Sequence, residues 1–185
     1  LGDVADALFE VYPCLKRLSL RFSREVSAMS AGLRRNLEDG MLFSGDPAWN
    51  GQVVFLENGL KFEADVRCGQ KTAFFLDQRE NRELVRRYSS GRAVLNTFSY
   101  TGGFSVYALA GGAERVVSVD SSAGAAASRA DVALNFGDGA PHEGVAVDAF
   151  DYLKGMDGSF DLVILDPPAF AKHHKVLGNA MKGYM

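Results

Sequence analysis

From residue 93 onwards, short apolar segments alternate regularly with helical segments, and this alternation restricts the fold more than any other feature. The predicted strands are residues 93–96, 116–119, 144–147 and 162–165, and the predicted helices between them are residues 104–110, 123–136 and 150–156. Apolar strands that alternate with helices are typical of a parallel sheet with right-handed crossovers. We therefore expect an α/β, Rossmann-like sheet, in which ligands bind beyond the carboxyl ends of the strands.

The N-terminal third of the chain follows a different pattern. Residues 3–12 have apolar side chains at helical spacing, and residues 17–22 alternate as in a strand. Residues 52–56 and 60–66 form two short strand patterns around Asn58-Gly59, a dipeptide that favours a β-hairpin turn. These patterns predict a small α+β unit.

We therefore predict an α+β segment over residues 1–68 and the sheet domain over residues 69–185, which begins with a helix at 77–88. The net charge of −3 gives no overall attraction to nucleic acid or membrane, and the chain has no apolar run of 18 residues. Cys14 and Cys68 lie far apart without metal-ligand spacing. We expect no disulfide framework, no metal, no membrane association and a cytoplasmic location.

Polar or glycine residues follow each of the first three predicted strands. The first strand runs into residues 96–104 (NTFSYTGGF), where Gly102 and Gly103 permit a tight turn and the close approach of a ligand to the backbone. The second strand ends at Asp120, where a carboxylate can accept hydrogen bonds from a ribose diol. The third strand ends at Asp148, which could accept a hydrogen bond from an adenine amine. Each carboxylate alone suits a helix N-cap equally well.

The fourth predicted strand ends in residues 166–170 (DPPAF), an unusual sequence for a simple loop. Each proline fixes its own φ angle and biases the preceding residue away from helix, so the loop is expected to be stiff and extended. Such a loop can hold Asp166 and Phe170 at fixed positions. Four acidic or glycine-bearing strand ends on one edge of a sheet predict a ligand site there.

Three motifs resemble those of the bacterial 23S ribosomal-RNA cytosine-C5 methyltransferase family: residues 71–79 (KTAFFLDQR), 96–104 and 166–170. The resemblance covers about residues 52–185. It implies a class I methyltransferase fold, with S-adenosylmethionine as methyl donor and S-adenosylhomocysteine as product. The residues that the resemblance assigns to the cofactor are Phe98, Ser99, Tyr100, Thr101, Gly102, Gly103, Asp120, Ser121, Asp148, Ala149, Gln78 and Arg79. Those that it assigns to the reaction are Asp166, Pro167, Pro168 and Phe170.

The resemblance also implies a role for several of these residues. Residues 98–103 would contact the methionine end of the cofactor, and Asp120 would hold the ribose hydroxyls. Gln78 and Arg79 would close the site, because a guanidinium suits a bidentate partner such as the cofactor carboxylate. A solvated helix charge is the alternative interpretation of Arg79.

Members of that family also have parts that this sequence does not show. They begin with an RNA-binding PUA domain, and a later segment carries the cysteine whose thiolate attacks cytosine C6. Cys14 and Cys68 both precede the cofactor domain, so we assign neither as the nucleophile. We therefore expect a fragment that binds the cofactor but does not complete cytosine methylation, and whose fourth strand is an exposed edge.

Ribosomal RNA is the expected partner, and a homodimer is an open alternative for the assembly. Basic residues that could contact phosphates form three clusters: Lys16, Arg17, Arg21, Arg24, Arg34 and Arg35; Arg82, Arg86, Arg87 and Arg92; and Lys172, His173, His174 and Lys175. Three other functions stay open. A nitrogen methyltransferase would use the Asp-Pro-Pro loop without a cysteine, and a cofactor-binding module would not turn over. An NAD-dependent oxidoreductase would need a G-x-G-x-x-G turn, which the first strand end lacks.

Overall fold

The computed structural model describes residues 2–29, 37–44, 48–67, 74–120 and 123–168. The chain divides into two compact units. The first comprises Leu1–Phe55 and Glu63–Phe75, and the second comprises Leu56–Phe62 and Leu76–Met185. The boundary predicted after residue 68 falls within the second stretch of the first unit, and the division into domains at that residue stays a prediction.

The first unit contains two short helices and two short strands: α1 (Gly2–Val11), β1 (Leu18–Ser19), α2 (Arg24–Ala28) and β2 (Leu42–Ser44). β1 and β2 pair in antiparallel fashion. β1 is shorter than the alternating pattern predicts, because the backbone N–H of Phe22 binds the Asp39 carboxylate at 2.8 Å instead of a neighbouring strand.

A β-hairpin connects the two units along the chain. Its strands are β3 (Gln52–Glu57) and β4 (Leu60–Asp65), which pair with each other. Asn58 and Gly59 both have positive φ angles, 50° and 82°, as a two-residue type I′ turn requires. The hairpin predicted from Asn-Gly is therefore confirmed.

The second unit is a parallel α/β sheet. After a 3-10 turn (Leu76–Gln78), the elements are α3 (Arg79–Tyr88), β5 (Ala93–Thr97), α4 (Gly103–Ala110), β6 (Arg115–Asp120), α5 (Ala123–Phe136), β7 (His142–Ala146), α6 (Ala149–Gly155) and β8 (Leu162–Leu165). The described strands lie in the order β7-β6-β5-β8, and every neighbouring pair is parallel. The predicted fold class is confirmed.

Alternate residues of the central strands form two separate apolar clusters. Val94 and Val116 pack with Ala108 of α4 on one face, whereas Leu95 and Val117 pack with Ala149 of α6 on the other. These valines and the leucine are completely buried, and each contributes about 1.5–3 kcal/mol to folding. Because side chains pack against both faces of the central strands, the ends of these strands keep fixed positions relative to one another.

In the described part of the chain, no helix has the length and apolar character that crossing a membrane would need.

Candidate functional site

The carboxyl ends of the four strands lie side by side. Thr97 of β5 is in register with Val119 of β6 and with Leu165 of β8, and Asp120 is in register with Ala146 of β7. The last residue of β6 and residues that follow the other three strands therefore form one row, which we call the rim: residues 148, 120, 98–103 and 166. Neighbouring strands are about 4.8 Å apart, so three spacings separate the two ends of the rim by roughly 14 Å.

The loop from β5 to α4 has an unusual backbone. Phe98 and Tyr100 have φ angles of 55° and 49°, and Gly102 has a φ of 78°. Left-handed conformations cost a residue with a side chain about 1–2 kcal/mol each. The strain is held by neighbouring hydrogen bonds: the Ser99 N–H donates to the Val119 carbonyl at 3.1 Å and the Gly102 N–H to the Ser99 carbonyl at 2.8 Å. The loop is thus a defined structure above the rim.

Asp120 is joined to this loop. Its Oδ2 accepts a hydrogen bond of 2.9 Å from the backbone N–H of Tyr100. Gly124, in the first turn of α5, leaves the carboxylate room: a Cβ there would lie 2.8 Å from Asp120 Oδ1 and 2.8 Å from the Tyr100 carbonyl oxygen. Gly102 similarly lets α5 approach the loop, since a Cβ added at Gly102 would lie 2.5 Å from Cβ of Ser128.

Ser99 provides a test of whether this loop fits a polar ligand. The residue is 5% exposed, and its hydroxyl oxygen has no hydrogen-bond partner among the described residues. An unpaired buried hydroxyl costs about 1–3 kcal/mol. Together with the space that Gly124 leaves beside Asp120, this orphaned hydroxyl fits a site shaped for a bound molecule.

Asp148 acts as the N-cap of α6. Its Oδ1 accepts hydrogen bonds from the backbone N–H groups of Phe150 at 2.9 Å and Asp151 at 3.2 Å. The helix-cap interpretation therefore applies to one of its two oxygens. Ala149 is buried beneath it, and the Phe150 ring meets the Phe98 ring edge to face at 5.6 Å, which places two aromatic rings between the first and third strand ends.

Gln78 is the N-cap of α3 and Arg79 is its first residue, and each has a partner that sequence reasoning missed. The Asn81 amide donates to Gln78 Oε1 at 2.6 Å. Arg79 Nε donates to Oε2 of Glu57 at 3.3 Å. Glu57 ends β3, 22 residues upstream, and its only sequence signal is a single acid at the end of an apolar strand (QVVFLE).

Asp166 follows β8 directly and is exposed, as is Pro168, whereas Pro167 is half-buried. The structure thus places Asp166 at the rim beside the β5 loop, as predicted. Phe170 and Ser121 lie outside the described residues.

Several arginines predicted as RNA contacts have protein partners. Arg82 is buried and bound to Glu57, so it is not available to a phosphate. Arg86 and Arg87 lie 3.9 and 3.8 Å from Glu83, and Arg92 donates to a backbone carbonyl. In the first unit, Arg17 lies over the Trp49 ring and Arg21 pairs with Asp39. The cluster at residues 172–175 lies outside the described part of the chain.

A chain of buried hydrogen bonds crosses the sheet behind the rim. The Asn96 amide donates to Ser105 Oγ at 2.9 Å, Ser105 Oγ lies 2.6 Å from Ser118 Oγ, and Ser118 Oγ lies 2.8 Å from His142 Nε2. Burial, and then the nearby Arg129 charge, lower the pKa of His142 to about 4. The imidazole is therefore neutral at pH 7, and its Nε2 can accept a hydrogen bond from the Ser118 hydroxyl.

Comparisons with known proteins agree with this geometry. The model of the S-adenosylmethionine-dependent methyltransferase family matches residues 34–184. The chain belongs to this family. S-adenosylmethionine is the family's methyl donor, which confirms the predicted cofactor. Among the described residues, no group of three or more His, Cys, Asp or Glu side chains could hold a metal ion.

Similar proteins include two named ribosomal RNA large subunit methyltransferases. The Deinococcus radiodurans protein is 48% identical over 169 residues, which cover 89% of this chain and 41% of that protein. The Vibrio vulnificus methyltransferase I is 37% identical over 190 residues, which cover 98% of this chain and 46% of that protein. The chain thus spans less than half the length of these relatives. The resemblance to large-subunit ribosomal RNA methyltransferases is confirmed.

Solved structures of methyltransferases also match. A protein from Streptococcus mutans described as S-adenosylmethionine-dependent superposes with a TM-score of 0.73 at 32% identity, covering 97% of this chain and 47% of that one. SMU.776, solved in complex with S-adenosylhomocysteine, gives a TM-score of 0.74 at 33% identity, covering 93% of this chain and 43% of that one.

Proposed function

We propose that this methyltransferase chain carries the S-adenosylmethionine site of an enzyme that acts on large-subunit ribosomal RNA, with C5 of a cytosine as the target. The observation that carries the proposal is the rim, where Asp148, Asp120, the loop of residues 98–103 and Asp166 follow one another across four parallel strands. The RNA substrate is proposed from the names of the relatives.

We assign a part of the cofactor to each residue of the rim, in the order of the strands. Asp148 binds the adenine amine through Oδ2, because its Oδ1 caps α6. Asp120 binds the ribose hydroxyls through Oδ1, since its Oδ2 holds the Tyr100 N–H. The loop of residues 98–103, with the Ser99 hydroxyl, contacts the methionine end.

The cofactor supplies an electrophilic methyl group. Asp166 holds the exocyclic amine of the target base, and Phe170 stacks on the base, as aromatic residues commonly do in RNA recognition. Cytosine C5 is a weak nucleophile and needs a thiolate at C6. Cys14 is exposed in the first unit and Cys68 lies outside the described residues, so neither is assigned that role.

The RNA target can be tested in the organism that encodes this chain. Disruption of the gene, followed by bisulfite mapping of large-subunit ribosomal RNA, is expected to remove one 5-methylcytidine. A gene copy with Asp120→Asn is expected not to restore it. An unchanged set of 5-methylcytidines would contradict the proposed target, and loss of an N-methylated nucleotide, measured by mass spectrometry of the digested RNA, would favour a nitrogen methyltransferase.

The same proposal includes a cytoplasmic location and a homodimeric assembly. A ribosomal RNA substrate is consistent with the predicted cytoplasmic location. The homodimer stays a prediction, which size-exclusion chromatography with light scattering would test.

A further inference from the structure

Glu57 is a buried carboxylate that three side chains of the second unit share. Arg82 binds it in bidentate fashion, with Nε 2.8 Å from Oε1 and Nη2 2.8 Å from Oε2. The Tyr107 hydroxyl donates to Oε1 at 3.0 Å, and Arg79 Nε donates to Oε2 at 3.3 Å. The side chains of Glu57 and Arg82 are each 3% exposed, so this pair is held out of water.

The cluster contains more positive than negative charge. Glu57 provides one negative charge against the two guanidinium groups of Arg79 and Arg82. Burial and the Glu57 hydrogen bond raise the pKa of Tyr107 to about 12, so its hydroxyl stays a neutral donor. The Arg79 side chain is 53% exposed, and in the described part of the chain Glu57 is its only ion-pair partner. The Nη edge of Arg79 is therefore the part of the cluster that can bind an anion.

The position of Arg79 follows from the packing of α3 against α4. The Arg82 guanidinium lies 5.9 Å from the Tyr107 ring centre, and a Cβ on Gly111 would lie 2.0 Å from the Arg86 carbonyl oxygen. The partners in both contacts are 25 positions apart, so the helices run side by side in the same direction. The start of α3, Arg79, thus lies at the same end as the start of α4. Both N-termini favour an anion there.

We propose that Glu57 is a positioning residue, which holds Arg79 so that the Nη edge of its guanidinium binds the carboxylate at the methionine end of the cofactor. The inference rests on the proposed cofactor site. A guanidinium can bind Glu57 through Nε and a second carboxylate through its Nη atoms, whereas an ammonium is a single point charge. Glu57 also removes rotamer freedom from Arg79 before the ligand arrives.

Calorimetric titration of two ligands tests this role. S-adenosylhomocysteine has the amino-acid carboxylate, and 5′-methylthioadenosine keeps the adenine, ribose and thioether but lacks it. Arg79→Lys is expected to lower the affinity for S-adenosylhomocysteine about tenfold, because one charge-assisted contact is lost. The affinity for methylthioadenosine should not change. Arg87→Lys, on the same helix with a side chain 69% exposed, is the matched control and should change neither affinity.

Glu57→Gln tests whether Glu57 acts through Arg79. It is expected to lower the ratio of S-adenosylhomocysteine to methylthioadenosine affinity about fivefold, and to have no further effect on that ratio when Arg79→Lys is already present. A ratio that is unchanged or raised, or an additive effect, would overturn the proposal. Glu57→Gln leaves Arg82 buried without a counter-charge, so Glu57→Asp, which keeps the charge on a shorter side chain, is measured as well. It is expected to lower the ratio in the same direction and to have no further effect beside Arg79→Lys, and an unchanged ratio would overturn the proposal.

Four other outcomes would each overturn the inference. Wild-type affinity in Arg79→Lys would show that a charge alone suffices, and an equal loss for both ligands would make the cluster merely structural. Wild-type protein that binds both ligands equally well would overturn this inference alone. Wild-type protein that binds neither ligand would overturn the proposed cofactor site as well.

Discussion

Asp120 and Tyr100 are joined by a hydrogen bond of 2.9 Å between the Asp120 carboxylate and the Tyr100 backbone N–H. The bond connects the end of β6 with the left-handed loop that follows β5. Two parts of the proposed cofactor site, the ribose acceptor and the glycine loop, are therefore held in one geometry.

Gly124→Ala should damage the site without replacing any residue that is proposed to contact the ligand. The new Cβ would lie 2.8 Å from the Asp120 carboxylate and the Tyr100 carbonyl oxygen, so one of them must move. Overpacking of this kind costs about 1–3 kcal/mol, and we expect S-adenosylhomocysteine to bind about tenfold or more weakly. Calorimetry measures the change. Gly155→Ala, where a Cβ meets nothing within 4 Å, is the control and should bind normally.

Asp148 should show two separable roles. Asp148→Ala removes the α6 cap and is expected to lower the free energy of unfolding by about 1 kcal/mol, whereas Asp148→Ser keeps a capping oxygen. Both variants should bind S-adenosylhomocysteine more weakly, because both lose the proposed adenine acceptor. Urea denaturation and calorimetry test the two effects. Normal affinity in Asp148→Ser would leave Asp148 as a helix cap only.

His142 should make stability depend on pH. Its pKa falls from 6.5 to about 4 on folding, through burial and the Arg129 charge. Between these two pH values the unfolded chain binds a proton that the folded chain does not, so the free energy of unfolding decreases as pH falls from 6.5 towards 4. His142→Gln keeps an acceptor for Ser118 but cannot titrate.

Urea denaturation at pH 7 and pH 4.5 measures this effect. Other groups titrate in both proteins, so the difference between them isolates His142. Wild type is expected to lose more stability than His142→Gln, and an equal loss would exclude His142 as the cause.

The sequence predicted the sheet well because strand and helix patterns are local. The strand predicted at 162–165 coincides with β8, and Asp120 and Asp166 fall at strand ends as expected. The pairing of Arg79 with Glu57 could not be predicted, because it depends on how a hairpin packs against a helix 22 residues later. Nor could a sequence show that one oxygen of Asp148 caps a helix.

The central claim, a cofactor site at the rim, is tested most directly by calorimetric titration of S-adenosylhomocysteine into wild type and Asp120→Asn. The substitution keeps an acceptor for the Tyr100 N–H but removes the charge from the proposed ribose contact. Asp161→Asn is the matched control, because Asp161 accepts the Ala93 N–H at the opposite end of the sheet. We expect micromolar binding, about −8 kcal/mol, in wild type and Asp161→Asn, and affinity reduced about tenfold to a hundredfold in Asp120→Asn. Equal affinity in all three proteins, or no binding by wild type, would contradict the account.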